Sequence, residues 1–321
     1  MKKTNISINF YICTFHFHYT AIWEQLILFN ICHTKGILKC TYYSLLLPTM
    51  NIKNCLFLFY SLACCHFSLA QKNELGLFLG GSYYIGDLNP IKQFHKIQPS
   101  VGLVYRGNIN YRQTIKCGIN YGKLTASDAQ SNDITQRNRN LNFTSTLWEA
   151  TAQYEFNFFP YETGNWQIPS SPFVFIGISA FRFNPQADVN GNYVDLRNLS
   201  TEGQGTTYYN RKKYSTIQPS IPFGIGFKAT VSKHLSIAAE WGMRKTFTDY
   251  IDDVSKTYVD PAILEAEKGA LAAELSNRSN LAYVTSTDRQ RGNSKNKDWY
   301  SFAGITVAYK FTDQRDRCPA Y

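Results

Sequence analysis

Apolar and polar side chains alternate along most of the chain from Glu74 onward. The clearest segment has apolar side chains at every second position from Trp148 to Phe158, separated by Glu149, Thr151, Gln153, Glu155 and Asn157. A period of two places the two sets on opposite faces of a β-strand. This segment is therefore predicted to be a strand with one apolar and one polar face.

Seven further segments are predicted to be strands: residues 75–83, 100–106, 114–122, 173–183, 216–231, 235–244 and 304–311. Residues 173–183 are apolar at both sets of positions, so their strand state is predicted but not their orientation. Most of the eight segments have the length of a transmembrane strand, about 9–11 residues, rather than the roughly 5–6 residues common in soluble proteins. The expected fold is all-β: an eight-stranded antiparallel up-and-down transmembrane β-barrel.

The connections between these segments alternate between long and short. Residues 85–98, 125–143, 184–214 and 249–298 are long, whereas residues 107–112, 159–171 and 232–233 are short. With the N-terminus in the periplasm, the long connections are external, as in outer-membrane barrels. Aromatic residues near the segment ends, including Tyr83, Phe158 and Trp299, resemble the two interfacial girdles of such barrels.

Two local features interrupt the pattern. Pro219 and Pro222 remove backbone donors from the sixth segment, so we expect a bulge or weakened pairing there. Residues 260–276 predict a short helix in the last long loop, with Asp260 as N-cap and Pro261 in the first turn. We expect this helix to lie across the barrel mouth or against a partner.

The first seventy residues are predicted to lie outside the fold. Residues 50–70 have the order of a secretory signal peptide: Lys53, an apolar stretch, then Ser68 and Ala70 before a cleavage site. We therefore expect translation to start at Met50, residues 1–49 to be an upstream extension, and residues 71–321 to form the barrel domain. The alternative, a lipoprotein acylated at Cys64 or Cys65, has only a partial lipobox.

Composition excludes several classes of protein. The chain has 321 residues with a formal net charge of +10, 15% aromatic and 17% charged residues. No run of 18 apolar residues occurs, which excludes a polytopic helical membrane protein, and the aromatic content excludes a disordered chain. Basic residues are dispersed, so no nucleic-acid partner is expected; the expected surroundings are outer-membrane lipid.

Charged residues occur at inward positions of the predicted barrel: Arg106, Lys116, Glu149, Glu155, Lys228, Glu240, Arg244 and Lys310. An eight-stranded barrel has an interior just wide enough for side chains, and buried charges there must compensate one another. Because only three of the eight are acidic, we expect water or loop carboxylates to contribute. We interpret the set as a structural polar network rather than a catalytic site.

Motifs for catalysis and cofactors are not found in residues 71–321. The sequence there has no G-x-S-x-G, P-loop, H-E-x-x-H or C-x-x-C pattern, and its two histidines, His95 and His234, fall at opposite ends of the barrel. No enzyme activity and no cofactor are predicted. Asp249, Asp252 and Asp253 are weak candidates for a metal site, since their spacing matches no calcium loop.

Several long stretches resemble a family of Bacteroidota outer-membrane barrels that includes PorG, a component of the type IX secretion system. The stretches are residues 78–90, 154–162, 201–205, 240–255, 291–294 and 298–304. The resemblance implies a non-enzymatic barrel that joins the outer membrane to a periplasmic ring of PorK-like and PorN-like proteins. If so, the docking surface should lie on the periplasmic side, with Arg112, Tyr161, Lys233, Arg315 and Arg317 as candidates.

Two other functions stay open from the sequence. The long last loop suits a barrel that acts in adhesion or ligand binding through its external loops, as OmpX-like barrels do. An enzyme or lipid-modifying barrel is disfavoured by the small number of histidines.

Overall fold

A computed structural model of the protein describes residues 73–189, 191–279 and 287–311. The predicted upstream extension (residues 1–49), the signal peptide (50–70) and the candidate docking residues Arg315 and Arg317 lie outside these residues. No helix among the described residues is long and apolar enough to cross a membrane.

Eight long strands form a closed antiparallel barrel. They are β1 (Asn73–Ile85), β2 (Gln98–Asn108), β3 (Gln113–Ser127), β4 (Asn142–Asn157), β5 (Ser170–Val189), β7 (Ile217–Thr230), β8 (Leu235–Thr246) and β9 (Trp299–Lys310). Their order is β4-β3-β2-β1-β9-β8-β7-β5, and pairing of β4 with β5 closes the ring. A short strand, β6 (Asn192–Asp195), pairs only with the end of β5. The predicted eight-stranded barrel is confirmed.

The faces of the strands follow the predicted alternation. On β1, Leu75, Leu77 and Leu79 are exposed on the outer wall, whereas Glu74 and Phe78 are buried inside. On β5, which the sequence left unoriented, Ile176 and Ile178 face outward. A continuous apolar outer belt is what a hydrocarbon layer requires of a barrel.

The alternation inverts towards the long-loop end of β3, β4 and β5. Trp148 is exposed on the outer wall, but from Leu147 towards Asn142 the buried inward side chains are mainly apolar, and the outward ones are Thr144 and Thr146. On β3, Lys123 is exposed outside while Leu124 is buried inside. The inversion marks where the wall leaves lipid and enters water. These strands also run past the bounds predicted from the sequence.

The long loops fold onto these strand ends as a cap. We define the cap as the described residues of the four long connections, 86–97, 128–141, 191–216 and 247–298. Leu196, Ile251, Val254 and Leu275 from these loops pack with inward strand residues such as Leu124, Phe143, Leu147, Phe181 and Phe183 in one apolar cluster. The cap therefore has a hydrophobic core of its own, continuous with the barrel interior.

The predicted helix near the end of the chain is present but divided. Pro261–Lys268 and Ala270–Ser276 are separated by Gly269, whose φ of 94° ends the first helix. The Asp260 side chain accepts a hydrogen bond from the Ala262 N–H at 2.9 Å, as expected of an N-cap. Leu264 and Leu275 are buried in the cap, so the helices cover the barrel mouth.

The proline pair weakens the β5–β7 pairing without a bulge. Pairing is continuous except at Gly177 and Ile178, opposite Pro222 and Ile221. The pairs on both sides, Ile176 with Phe223 and Ser179 with Ser220, keep one register. The expected weakening is confirmed, since two opposite pairs of residues are missing from the ladder. A bulge is not found, because the register is the same on both sides of the gap.

Candidate functional site

The barrel interior at membrane depth contains a network of ion pairs centred on Glu155. Its carboxylate lies 2.6 Å from the Lys228 ammonium, 3.5 Å from the Lys116 ammonium and 3.5 Å from the Arg106 guanidinium. All four side chains are almost completely buried. One carboxylate thus separates three cations that would otherwise repel one another at low dielectric.

Glu240 and Glu74 complete the compensation of these cations. Glu240 lies 2.9 Å from Lys116 and 3.8 Å from Arg106, and Glu74 lies 3.9 Å from Arg106. Sequence reasoning missed Glu74, although it precedes inward Gly76 in the same phase and its register partner on β2 is Arg106. Extending the alternation of β1 by one pair would have found it.

A second polar group lies nearer the cap. Glu149 accepts hydrogen bonds from Tyr300 at 2.7 Å and Asn120 at 2.9 Å, and it forms an ion pair with Arg244 at 3.2 Å. The Arg244 guanidinium also lies 4.8 Å from the centre of the Phe302 ring. Both carboxylate oxygens of Glu149 therefore take part in hydrogen bonds or ion pairs inside the barrel.

Lys310 lies at the short-turn end, where a loop carboxylate compensates it. Its ammonium donates to Glu162 at 3.1 Å and to the Thr163 carbonyl at 2.9 Å. The turn that carries Glu162 also places Tyr161 inside the barrel end, where its hydroxyl contacts Thr163. Because Tyr161 is buried beneath Lys228, its ring is not accessible to a partner, and we do not keep it as a docking candidate.

Two of the other docking candidates are exposed at this end. Arg112 is exposed on the β2–β3 turn and donates to the Phe158 carbonyl at 2.7 Å, and Lys233 is exposed on the β7–β8 turn. The structure brings three short turns to one rim.

The three aspartates considered for a metal site point to different partners. Asp252 accepts from Tyr84, Asp253 accepts from Thr201 and from Tyr214, and the described residues contain no group of three or more metal-ligating side chains. Asp249 is buried, and among the described residues neither oxygen of its carboxylate has a hydrogen-bond partner. The weak metal interpretation therefore finds no converging ligands in the described part of the chain.

Tyr84 instead joins two carboxyl groups that are both buried. Its hydroxyl lies 2.7 Å from Asp252 and 2.8 Å from Asp298. A hydroxyl has one hydrogen to donate, so the second contact requires a proton on one carboxyl group. Burial, reinforced by the neighbouring carboxylates, raises the pKa of Asp252 and of Asp298 well above the usual range.

Two arginines hold the cap together. Arg291 donates to the Asp253 carbonyl at 2.6 Å, to the Ser276 carbonyl at 3.2 Å and to the Glu202 carboxylate at 3.2 Å. Arg139 pairs with Asp128 at 2.6 Å and also donates to the Arg291 carbonyl at 2.7 Å. Together they connect the second, third and fourth long loops.

The cap is expected to be more stable at pH 5 than at pH 8. Burial raises the pKa of Asp253 to about 6, despite the facing Arg291, Thr201 and Tyr214, and burial raises that of Asp249 to about 7. Between the ordinary carboxyl pKa and these values the folded cap holds more protons than the unfolded chain, so stability falls as pH rises. From pH 5 to pH 8 we expect a loss of about 1–3 kcal/mol, less than the roughly 4 kcal/mol that two fully shielded groups would give, because solvent screens part of the effect.

Amide hydrogen exchange of residues 251–255, corrected for the intrinsic pH dependence of exchange, measures this change. The Asp253→Asn variant keeps one side-chain oxygen that can accept a hydrogen bond from Thr201 or Tyr214, and its amide can donate to the other hydroxyl. Because it cannot ionise, it should flatten part of the pH dependence. Protection factors that are equal at pH 5 and pH 8 in the unsubstituted protein would contradict the expectation.

Comparisons with known proteins identify a family but no activity. Residues 53–261 match the family described as "Domain of unknown function (DUF6089)". No curated protein sequence matches the chain significantly.

Solved structures similar to the chain are outer-membrane proteins. Neisserial surface protein A is 9% identical, with 74% of this chain and 97% of that chain covered and a TM-score of 0.38. Ail, the attachment invasion locus protein of Yersinia pestis, is 10% identical, with coverages of 75% and 99% and a TM-score of 0.35. OprG from Pseudomonas aeruginosa is 8% identical, with coverages of 75% and 97% and a TM-score of 0.33. At these identities the similarity concerns the fold alone.

The protein is an eight-stranded transmembrane β-barrel with an apolar outer wall, and because the family match covers more than half of its residues, the chain belongs to the DUF6089 family.

Proposed function

We propose that the protein is a non-enzymatic outer-membrane component of the type IX secretion system that anchors a periplasmic ring of PorK-like and PorN-like proteins to the membrane. The observation that carries the proposal is that ion pairs fill the barrel interior and the cap covers its mouth. A barrel filled in this way is suited to act through its surfaces rather than as a channel.

The surface available to a periplasmic partner is the short-turn rim. Arg112 and Lys233 present exposed positive charges there, and Glu162 is already paired with Lys310. The rim can therefore attract an acidic surface of a partner. Exposed charges of this kind chiefly affect the association rate and the choice of partner.

The resemblance of six stretches to PorG-like barrels supplies the identity of that partner. The C-terminal residues Arg315 and Arg317 stay proposed contacts, as do the signal peptide and its cleavage after Ala70.

Reversing the rim charges should impair both docking and secretion. In a strain lacking the protein, we expect the unsubstituted chain to restore export of cargo bearing the type IX C-terminal signal. The Arg112→Glu/Lys233→Glu variant should restore it less well and should retain roughly tenfold less of the ring proteins on co-purification. Removal of residues 313–321 tests the proposed tail contact by the same two measurements.

A matched variant separates docking from a general effect of charge. Lys212 and Lys295 are exposed on the cap, at the opposite end of the barrel, so Lys212→Glu/Lys295→Glu should secrete and co-purify normally. Normal cargo export in the strain lacking the protein would overturn the secretion proposal.

Adhesion or ligand binding by the external loops is the second candidate function. It is favoured by three exposed apolar and aromatic side chains on the cap, Ile134, Tyr193 and Tyr208. If cargo export does not depend on the protein while attachment of cells to a surface does, this function replaces the first.

A further inference from the structure

Part of the first long loop of the cap folds down over the outer wall of the barrel. Asn89, which is buried, fixes the turn: its side-chain amide donates to the Tyr84 carbonyl at 2.7 Å and to the Lys92 carbonyl at 2.8 Å. Residues 91–97, which we call the hook, then lie against the wall. The Ile97 side chain reaches Gly81 of β1, where an added Cβ would lie 2.2 Å from it.

The hook is seated on a pair of outward-facing aromatic residues. The Phe94 ring lies 5.0 Å from the Tyr83 ring on β1 and 6.0 Å from the Trp241 ring on β8. Trp241 donates to the Tyr83 hydroxyl at 2.9 Å across β9, and that hydroxyl donates to Gln93 at 2.9 Å. Tyr83 faces outward yet is only 1% exposed, because the hook covers it.

The seat lies at the upper edge of the lipid-facing belt. In the β1–β9 pairing, Leu79 opposite Ile305 lies only four residues below Tyr83 opposite Ser301, which is about 13 Å along the strand. Leu79 and Ile305 are both exposed on the outer wall. Tyr and Trp side chains at this height are typical of the interfacial girdle, where headgroups meet acyl chains.

The hook leaves apolar surface exposed on the outside of the barrel, even where its side chains contact the wall. Ile91 is 83% exposed, Phe94 50% and Ile97 51%. Exposure of these side chains to water would be unfavourable, but at the girdle they continue the apolar belt of the wall. Phe94 and Lys96 also have left-handed backbones, with φ of 54° and 49°. Such a conformation is uncommon for residues other than glycine and persists only when surrounding contacts hold it.

The hook also carries positive charge without a carboxylate to balance it. Lys92, His95 and Lys96 lie within five residues, and the sequence has no Asp or Glu from Leu88 to Ser127. Among the described residues, no carboxylate pairs with these three side chains; the Lys92 ammonium donates to the Gln130 carbonyl at 3.2 Å. Partial burial lowers the pKa of Lys96, and a nearby anion would relieve that cost.

We propose that the hook binds a phosphate-bearing acidic lipid of the outer leaflet. Ile91, Phe94 and Ile97 enter the boundary between headgroups and acyl chains, and Lys92, His95 and Lys96 surround the headgroup phosphate. Basic residues beside an apolar anchor are the combination that interfacial segments use to bind anionic lipid. The site is continuous with the wall that lipid already covers, so it does not depend on the role in secretion.

Lipid retention by the full-length protein tests the proposal. The protein is placed in nanodiscs of mixed phosphatidylglycerol and phosphatidylcholine, and native mass spectrometry measures which lipid stays bound on release. We expect a preference for phosphatidylglycerol that weakens in high salt. The Lys92→Gln/Lys96→Gln variant should lose roughly 30-fold of that preference, which corresponds to about 2 kcal/mol. Phe94→Ser should reduce retention of both lipids.

The matched control is Lys212→Gln/Lys213→Gln, which removes two exposed cations from the third long loop rather than from the hook. It should leave the lipid preference unchanged. The proposal is overturned if the unsubstituted protein retains both lipids equally, or if the control variant loses as much preference as the hook variant. Gel mobility of unheated samples checks that every variant contains a folded barrel.

Discussion

Replacing Glu155 with glutamine is expected to lower the free energy of unfolding by about 3–5 kcal/mol. The substitution keeps the shape of the side chain but leaves Lys228, Lys116 and Arg106 without the carboxylate that lies 2.6–3.5 Å from each of them. Glu74 and Glu240 can then compensate only part of the charge. Urea unfolding of the barrel in lipid vesicles, followed by gel mobility, measures the loss.

Glu265→Gln is the matched control, because Glu265 is exposed on the Pro261–Lys268 helix. It should change stability by no more than about 0.5 kcal/mol. Adding Lys228→Met to Glu155→Gln removes one of the three cations left without a carboxylate. It should restore part of the lost free energy of unfolding, since residues in one network do not act additively. A loss below about 1 kcal/mol for Glu155→Gln would mean that water solvates these cations inside the barrel.

The charges of the interior network compensate one another at membrane depth. Arg106, Lys116, Lys228 and Arg244 face four carboxylates: Glu74, Glu149, Glu155 and Glu240. The equal numbers leave no net charge to attract an ion. The contacts that neutralise the charges also link strands distant in sequence, such as β4 and β7 through Glu155 and Lys228. The same ion pairs therefore stabilise the barrel and fill its interior.

Alternation predicted the barrel from the sequence but hid the position of the membrane edge. Residues 173–183 look apolar on both faces for two reasons. Phe173 and Phe175 lie inside the barrel under Lys228 and Lys116, opposite in face to Ile176 and Ile178 on the outer wall. Beyond the membrane edge, Phe181 and Phe183 face the core of the cap. A single alternation pattern applied to the whole strand cannot distinguish the part at membrane depth from the part within the cap. The same inversion ended the predicted β3 at residue 122, before buried Leu124.

The contacts of the cap could not be predicted in the same way. Glu202 and Arg291 are 89 residues apart, and no periodicity relates one long loop to another. Tyr84 meets Asp252 and Asp298 only because the last loop returns to the end of β1. A helix after Asp260 could be predicted because capping is local, but the charge pairs that anchor the helix depend on tertiary structure.

Substituting Arg291 with methionine is expected to open the cap while leaving the barrel folded. Methionine keeps an unbranched apolar stem, but the buried Glu202 carboxylate loses its charge partner, and the carbonyl groups of Asp253 and Ser276 lose a donor. Breaking a buried pair from one side costs about 3–5 kcal/mol. Because the barrel ladders do not include these residues, the cost falls on the cap alone.

Limited proteolysis and hydrogen exchange distinguish the cap from the barrel in this variant. Cleavage should appear within residues 200–216 and 250–279, with the barrel strands still protected and gel mobility still that of a folded barrel. Arg137→Met, at an exposed arginine that donates to the Ser131 carbonyl, should leave the cap resistant. In Glu202→Gln/Arg291→Met residue 202 no longer carries a buried charge without its partner, so resistance should partly return. If Arg291→Met alone left the cap resistant, the apolar cluster around Ile251 and Leu275 would be sufficient to hold the loops, and the arginine would be dispensable for closure.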